Sequence, residues 1–201
     1  MIDKNQFKLI REKHGFYASW AIWRDASDKP KSNMSDMSIF DIDLNPKILY
    51  QLNPNVMMVG LNFSRNVEKK EFINFHDKNP HAQDFKIRYA FKDTPFYGAY
   101  MTDVIKYHED VNSKNVLKKI KKDPSIIHTN LKIFREEIID LGSKEKPMIL
   151  AFGAIVFELL STYLEAENYI KLIKLTHYSH QISKEEYKAS ILRELSLNAE
   201  A

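Results

Sequence analysis

Val56-Met57-Met58-Val59-Gly60-Leu61, followed by Asn62, is a short apolar run closed by a polar residue, the pattern of a buried strand that ends in a turn. Three more runs of the same kind occur at residues 99–105, 148–152 and 170–175. Each has strand length and not helix length. Between and after them lie segments of helical periodicity: residues 130–141, with Leu131, Phe134, Ile138 and Leu141 on one face, residues 154–164, opened by Gly153, and residues 183–195, where Ser183 and Glu186 form a capping box. Strands alternating with helices pair in parallel through right-handed crossovers. The expected fold is therefore α/β, a three-layer α/β/α sandwich with a central, mainly parallel four-stranded sheet.

The first 50 residues read as a helical lead-in packed on that sheet. Short helices are expected at residues 7–10, 16–23 and 45–52, with Trp20 and Trp23 on one helical face turned to the core. Residues 29–38 are polar and rich in Met and Ser. No repeat or composition shift divides the chain, so its 201 residues are read as a single domain.

Composition narrows the chemistry. The chain has no Cys, which excludes disulfides, thiolate zinc sites, iron-sulfur clusters and cysteine nucleophiles, and leaves His, Asp, Glu, Ser and Asn as reactive side chains. No apolar run approaches the roughly 20 residues that span a bilayer, and a soluble, cytoplasmic protein without a membrane partner is expected. A formal net charge of +3 permits a polyanionic partner without demanding one. Lys114, Lys118, Lys119, Lys121 and Lys122 cluster after the second strand, where they could contact phosphates or merely form a solvated helical face.

Ligands of open α/β sheets bind beyond the carboxyl ends of the strands, so the residues there carry the functional reading. The first strand runs into Gly60, Leu61, Asn62, Phe63, Ser64 and Arg65. The second carries Thr102 and Asp103 inside an apolar run, and a carboxylate in that setting needs a partner or a ligand. The third ends at Gly153 and the fourth in Thr176-His177-Tyr178-Ser179-His180.

Taken together, Gly60-Leu61-Asn62, Tyr100-Met101-Thr102-Asp103-Val104-Ile105-Lys106, Leu150-Ala151-Phe152-Gly153 and the terminal His177 resemble the uracil-DNA glycosylase superfamily, over residues 55–195. The resemblance implies a DNA glycosylase of base-excision repair that hydrolyses the N-glycosidic bond of a flipped nucleobase. It implies Asn62 as the residue that positions water and His177 as the donor to the departing base. Phe75, thirteen residues after Asn62, would stack on the base, with Phe96 a rival; Asp103 would read the base edge, with Gly60 and Phe63 beside it. Ser64, Ser179, His180, Lys114, Lys118 and Lys119 would contact DNA, single- or double-stranded. No cofactor and no metal are expected. His177 and His180 have a permissible ligand spacing, with His76, Asp77 and His81 elsewhere, but no third ligand is defined, and His76 beside Asp77 could be a local turn interaction.

Three departures accompany the resemblance. Phe63 and Tyr178 stand where the family motifs have Pro, and Asp103 stands where the family has a base-reading Asn. An ionised carboxylate only accepts hydrogen bonds, so Asp103 suits an amino-bearing base better than uracil, unless it is protonated. The departures also leave room for another class, a catalytically silent nucleic-acid or nucleotide-binding protein on the same fold. The four-cysteine iron-sulfur branch of the family is excluded.

Overall fold

In the computed structural model, which describes residues 2–62, 70–106, 110 and 112–199, the chain forms helices on both faces of a mixed sheet. The elements are α1 (Lys4–His14), β1 (Ser19–Trp20), β2 (Asn53–Asn62), α2 (Phe85–Phe91), β3 (Ala99–Ile105), α3 (Ser113–Lys122), α4 (Ser125–Asp140), β4 (Met148–Phe152), α5 (Ala154–Tyr163), β5 (Lys171–Leu175) and α6 (Lys184–Ala199). Short 3₁₀ turns occupy Met37–Phe40, Pro46–Tyr50 and Ala166–Asn168. Strand order is β1-β3-β2-β4-β5, with β2, β3, β4 and β5 parallel and β1 antiparallel to β3.

The four expected strands are present, and the sheet has a fifth. Residues 16–23 form no helix: Ser19 and Trp20 pair with Met101 and Tyr100 at the edge of β3. The reason lies in burial. Every residue from Tyr17 to Trp23 is at most 3% exposed, so helical spacing carries no directional signal there, and the unpaired edge of β3 takes the backbone. Trp20 and Trp23 consequently sit in separate apolar clusters, not on one helical face. The segment expected as a helix at residues 45–52 is the 3₁₀ turn Pro46–Tyr50.

Alternation along the strands builds two cores. Met57, Val59, Tyr100, Val104, Ile149 and Ala151 meet α1, α3, α4 and α5 on one face; Val56, Met58, Met101, Leu150, Phe152 and Ile173 meet α2 and α6 on the other. The capping box of α6 forms as expected, with Ser183 N–H donating to Glu186 Oε2 (2.8 Å) and Glu186 N–H to Ser183 Oγ (3.1 Å). From the central β2 the chain steps outward to β3 through α2 on one face, then crosses back to β4 through α3 and α4 on the other. This change of direction brings the carboxyl ends of β2, β3, β4 and β5 to one edge, where a crevice is expected.

Candidate functional site

A cavity of about 520 Å³ opens at that edge. It brings together Asn62 from the end of β2, Phe75 from the following loop, Asp103 from β3, and His177 and Ser179 from beyond β5. These are five of the residues singled out in the sequence, drawn from four separate chain segments.

Gly60 stands in register with Asp103 on neighbouring strands. It does not line the cavity but makes room for what does: a Cβ on Gly60 would lie 2.3 Å from Asp103 Oδ1 and 3.2 Å from the Phe75 ring. Any side chain there would displace both. Phe75 is 4% exposed and holds a left-handed backbone, φ +63°, as does Phe72 at +62°. Such conformations persist only where surroundings enforce them. The N-terminal region supplies the enforcement. Gly15 O accepts from Phe72 N–H (2.6 Å), Ser19 Oγ donates to Phe72 O (2.7 Å), and Trp23 Nε1 donates to Phe75 O (3.2 Å).

Asn74, absent from the sequence reading, joins the loop to the strand. Its Nδ2 donates to Asp103 Oδ2 and to Tyr17 O, each at 2.8 Å, and its Oδ1 accepts from Phe75 N–H at 3.1 Å. Asp103 is 2% exposed. Burial drives its carboxyl up to about 7, although the Asn74 hydrogen bond and the charge of Lys106 pull the other way.

His177 is partly buried, and loss of solvent lowers its imidazole to about 4, so the ring is neutral at physiological pH. The backbone N–H of Ser179, a group that can only donate, reaches His177 Nδ1 at 3.1 Å, with Ser179 Oγ at 2.8 Å. Nδ1 is therefore the acceptor, and the proton of the neutral ring resides on Nε2. Tyr178 stacks on this ring, centroids 4.4 Å apart and planes 23° from parallel, and meets Phe75 edge-on at 6.4 Å. Asn62 Nδ2 donates to Asp110 O (2.9 Å), tying the end of β2 to the segment ahead of α3.

Other expected residues lie elsewhere. Phe63 and Ser64 fall outside the described residues. His180 is exposed and does not line the cavity; its carbonyl accepts from Lys86 Nζ (2.8 Å). Lys114, Lys118 and Lys119 are exposed along α3; its first residue, Ser113, lines the cavity, and none of the three lysines does. The rival Phe96 packs on Phe91 and is not a lining residue. Among the described residues no three His, Asp or Glu side chains are grouped to hold a metal ion, and no helix is long and apolar enough to cross a membrane.

Two features of the site went unread in the sequence. Asn74 gives no local signal beyond adjoining Phe75, because its partners are 57 and 29 residues away. Asp84, 7% exposed at the start of α2, accepts from Asp77 N–H (3.0 Å) and lines the cavity.

Comparison of the chain with protein-family models, with curated proteins and with solved structures found no match.

Proposed function

We propose that the cavity receives a nucleobase flipped out of DNA and that the protein hydrolyses its N-glycosidic bond, as the sequence resemblance to the uracil-DNA glycosylase superfamily implies. The observation that supports this most is the convergence of Asn62, Phe75, Asp103 and His177 on one cavity, with a neutral imidazole whose Nε2 carries the proton.

In this reading the bond between the sugar C1′ and the base nitrogen breaks with its electron pair leaving on the base. Positive charge develops on the sugar and negative charge on a base oxygen. The Nε2–H of His177 donates to that oxygen, and burial makes the bond stronger than it would be in water. Asn62 orients a water toward C1′. As the water oxygen bonds to C1′ it loses one proton, which neutralises the departing base; the products are an abasic sugar and a free base. Phe75 covers one face of the base, Asp103 meets its edge, and Ser179 with the exposed lysines of α3 contacts flanking phosphates.

The test is base release. Oligonucleotides carrying uracil, hypoxanthine, mismatched cytosine and related bases are incubated with the protein, and abasic sites are revealed by alkaline cleavage. At least one substrate is expected to be cut, with His177→Asn about 10²–10³-fold slower. Cleavage unaffected by that change would remove His177 from the reaction.

The second reading, a catalytically silent nucleotide-binding protein, draws support from one contact. The Asn62 amide donates to the Asp110 carbonyl, and an amide engaged with backbone has less to offer a water. Oligonucleotide binding without abasic-site formation is its signature.

A further inference from the structure

We propose that the cavity selects nucleobases bearing an exocyclic amino group, that Oδ1 of Asp103 is the atom that accepts from this group, and that Asn74 is the residue that positions it. The proposal rests on the reading that a nucleobase occupies the cavity, and it names which class of base.

The orientation of the Asn74 amide is determined by its neighbours. The backbone N–H of Phe75 can only donate and the carbonyl of Tyr17 can only accept, so the side-chain oxygen must face the first and the nitrogen the second. The remaining N–H of that nitrogen then points at Asp103 Oδ2. Turning the amide over would set nitrogen against the Phe75 N–H and oxygen against two acceptors. Oδ2 of Asp103 is thus held as an acceptor by a group that cannot rotate.

That leaves Oδ1. No donor among the described residues meets it, though Asp103 is 2% exposed and lines the cavity, and it lies over Gly60, where the lack of a side chain leaves it uncovered. Oδ1 is not sealed from solvent: it opens on the cavity, and a ligand that displaces water there must bring a donor in its place. The groups around it strengthen this preference. Asp77, Asp84 and Asp110 line the same cavity, whereas no Lys or Arg does among the described residues. Lys106, which lowers the Asp103 carboxyl, is engaged with Glu137; Glu137 and Asp84 raise it.

An exocyclic amino group, as on cytosine or adenine, gives Oδ1 a hydrogen. A keto oxygen at the same position, as on uracil or hypoxanthine, sets two acceptors against each other. Burial places the carboxyl at about 7, so measurements at pH 8 address the ionised form.

The experiment titrates the full chain with free cytosine, adenine, uracil and hypoxanthine by calorimetry at pH 8, in wild type, Asp103→Asn and Asn74→Ala. Wild type is expected to bind cytosine or adenine at least about tenfold more tightly than its keto counterpart. Asp103→Asn, whose amide can present a donor, should abolish or invert that ratio. Asn74→Ala, which frees the carboxyl to turn, should narrow the ratio without abolishing binding, an effect that loss of stability alone does not produce. A keto base bound more tightly by wild type, or a ratio untouched by Asp103→Asn, overturns the proposal and leaves the nucleobase reading standing. If no base binds and no oligonucleotide yields an abasic site, the nucleobase reading fails and this inference falls with it.

Discussion

Thr102 and Asp103 are consecutive on β3 and face opposite sides of the sheet, and each meets a buried polar environment of a different kind. On the side of α4, Thr102 Oγ1 and Tyr100 OH donate to Glu137 Oε1 (2.6 and 2.8 Å), Lys106 Nζ donates to Thr102 Oγ1 (2.6 Å), and Lys106 pairs with Glu137 Oε2. Lys106 and Glu137 side chains are wholly buried, and the charges answer each other. On the other side Asp103 has one oxygen answered by Asn74 and one turned to the cavity without a donor. The contrast sets a closed polar network beside an open one on a single strand. A closed network needs nothing further, whereas the other leaves an acceptor open to the donor of a ligand.

The largest effect expected is on the closed side. Lys106→Met leaves the Glu137 carboxylate buried without its cation and should cost about 3–5 kcal/mol in urea denaturation. Adding Glu137→Leu should recover most of that loss. A Lys106→Met protein as stable as wild type would mean that the pair is not the closed unit described.

On the open side, His177→Asn should slow base release about 10²–10³-fold, equivalent to about 3–4 kcal/mol, while leaving the urea midpoint nearly unchanged. A matching loss of stability would place His177 among the structural residues.

Asp103 gives the comparison a pH signature. Its carboxyl rises from 3.8 in the unfolded chain to about 7 in the fold, so the folded state holds a proton that the unfolded state has lost between those values. The associated stability is full below about pH 3.8 and vanishes as pH rises through 7. Asp103→Asn, neutral throughout, should therefore exceed wild type by on the order of 2–4 kcal/mol at pH 8, with the advantage fading by pH 4.5. His76 and His177, lowered to about 3 and about 4 by burial, destabilise the fold in acid with the opposite sign, but they act in both proteins and cancel in the difference. An advantage that does not vary with pH would contradict the buried setting of Asp103.

The smallest effect concerns the brace. Trp23→Phe removes the hydrogen bond to Phe75 O and should cost about 1 kcal/mol. Amide exchange at residues 72–76 should quicken more than in the sheet. Uniform acceleration would show that Trp23 serves the core and not the loop.

The sheet was legible because parallel strands covered on both faces are continuous apolar runs, and α4, α5 and α6 because their apolar faces or caps are local. The edge strand β1 was hidden by burial on all sides. Helix α2 was hidden for another reason: Lys86 and Arg88 are 5% exposed, with their charged groups reaching the carbonyls of His180 and of Arg24, Pro30 and Ser32, so charge does not mark the solvent face there. In the candidate site, Asn62, Phe75, Asp103 and His177 were legible at strand ends and spacings. Asn74 was not, since its role arises from Tyr17 and Asp103, which only the fold brings within reach.

The most direct measurement of the central claim is a crystal structure of the protein soaked with free cytosine. The ring is expected against Phe75, with its amino group within about 3 Å of Asp103 Oδ1 and its carbonyl oxygen facing His177 Nε2. A ring bound outside the cavity, or one inside with its amino group turned away from Asp103, would contradict that claim.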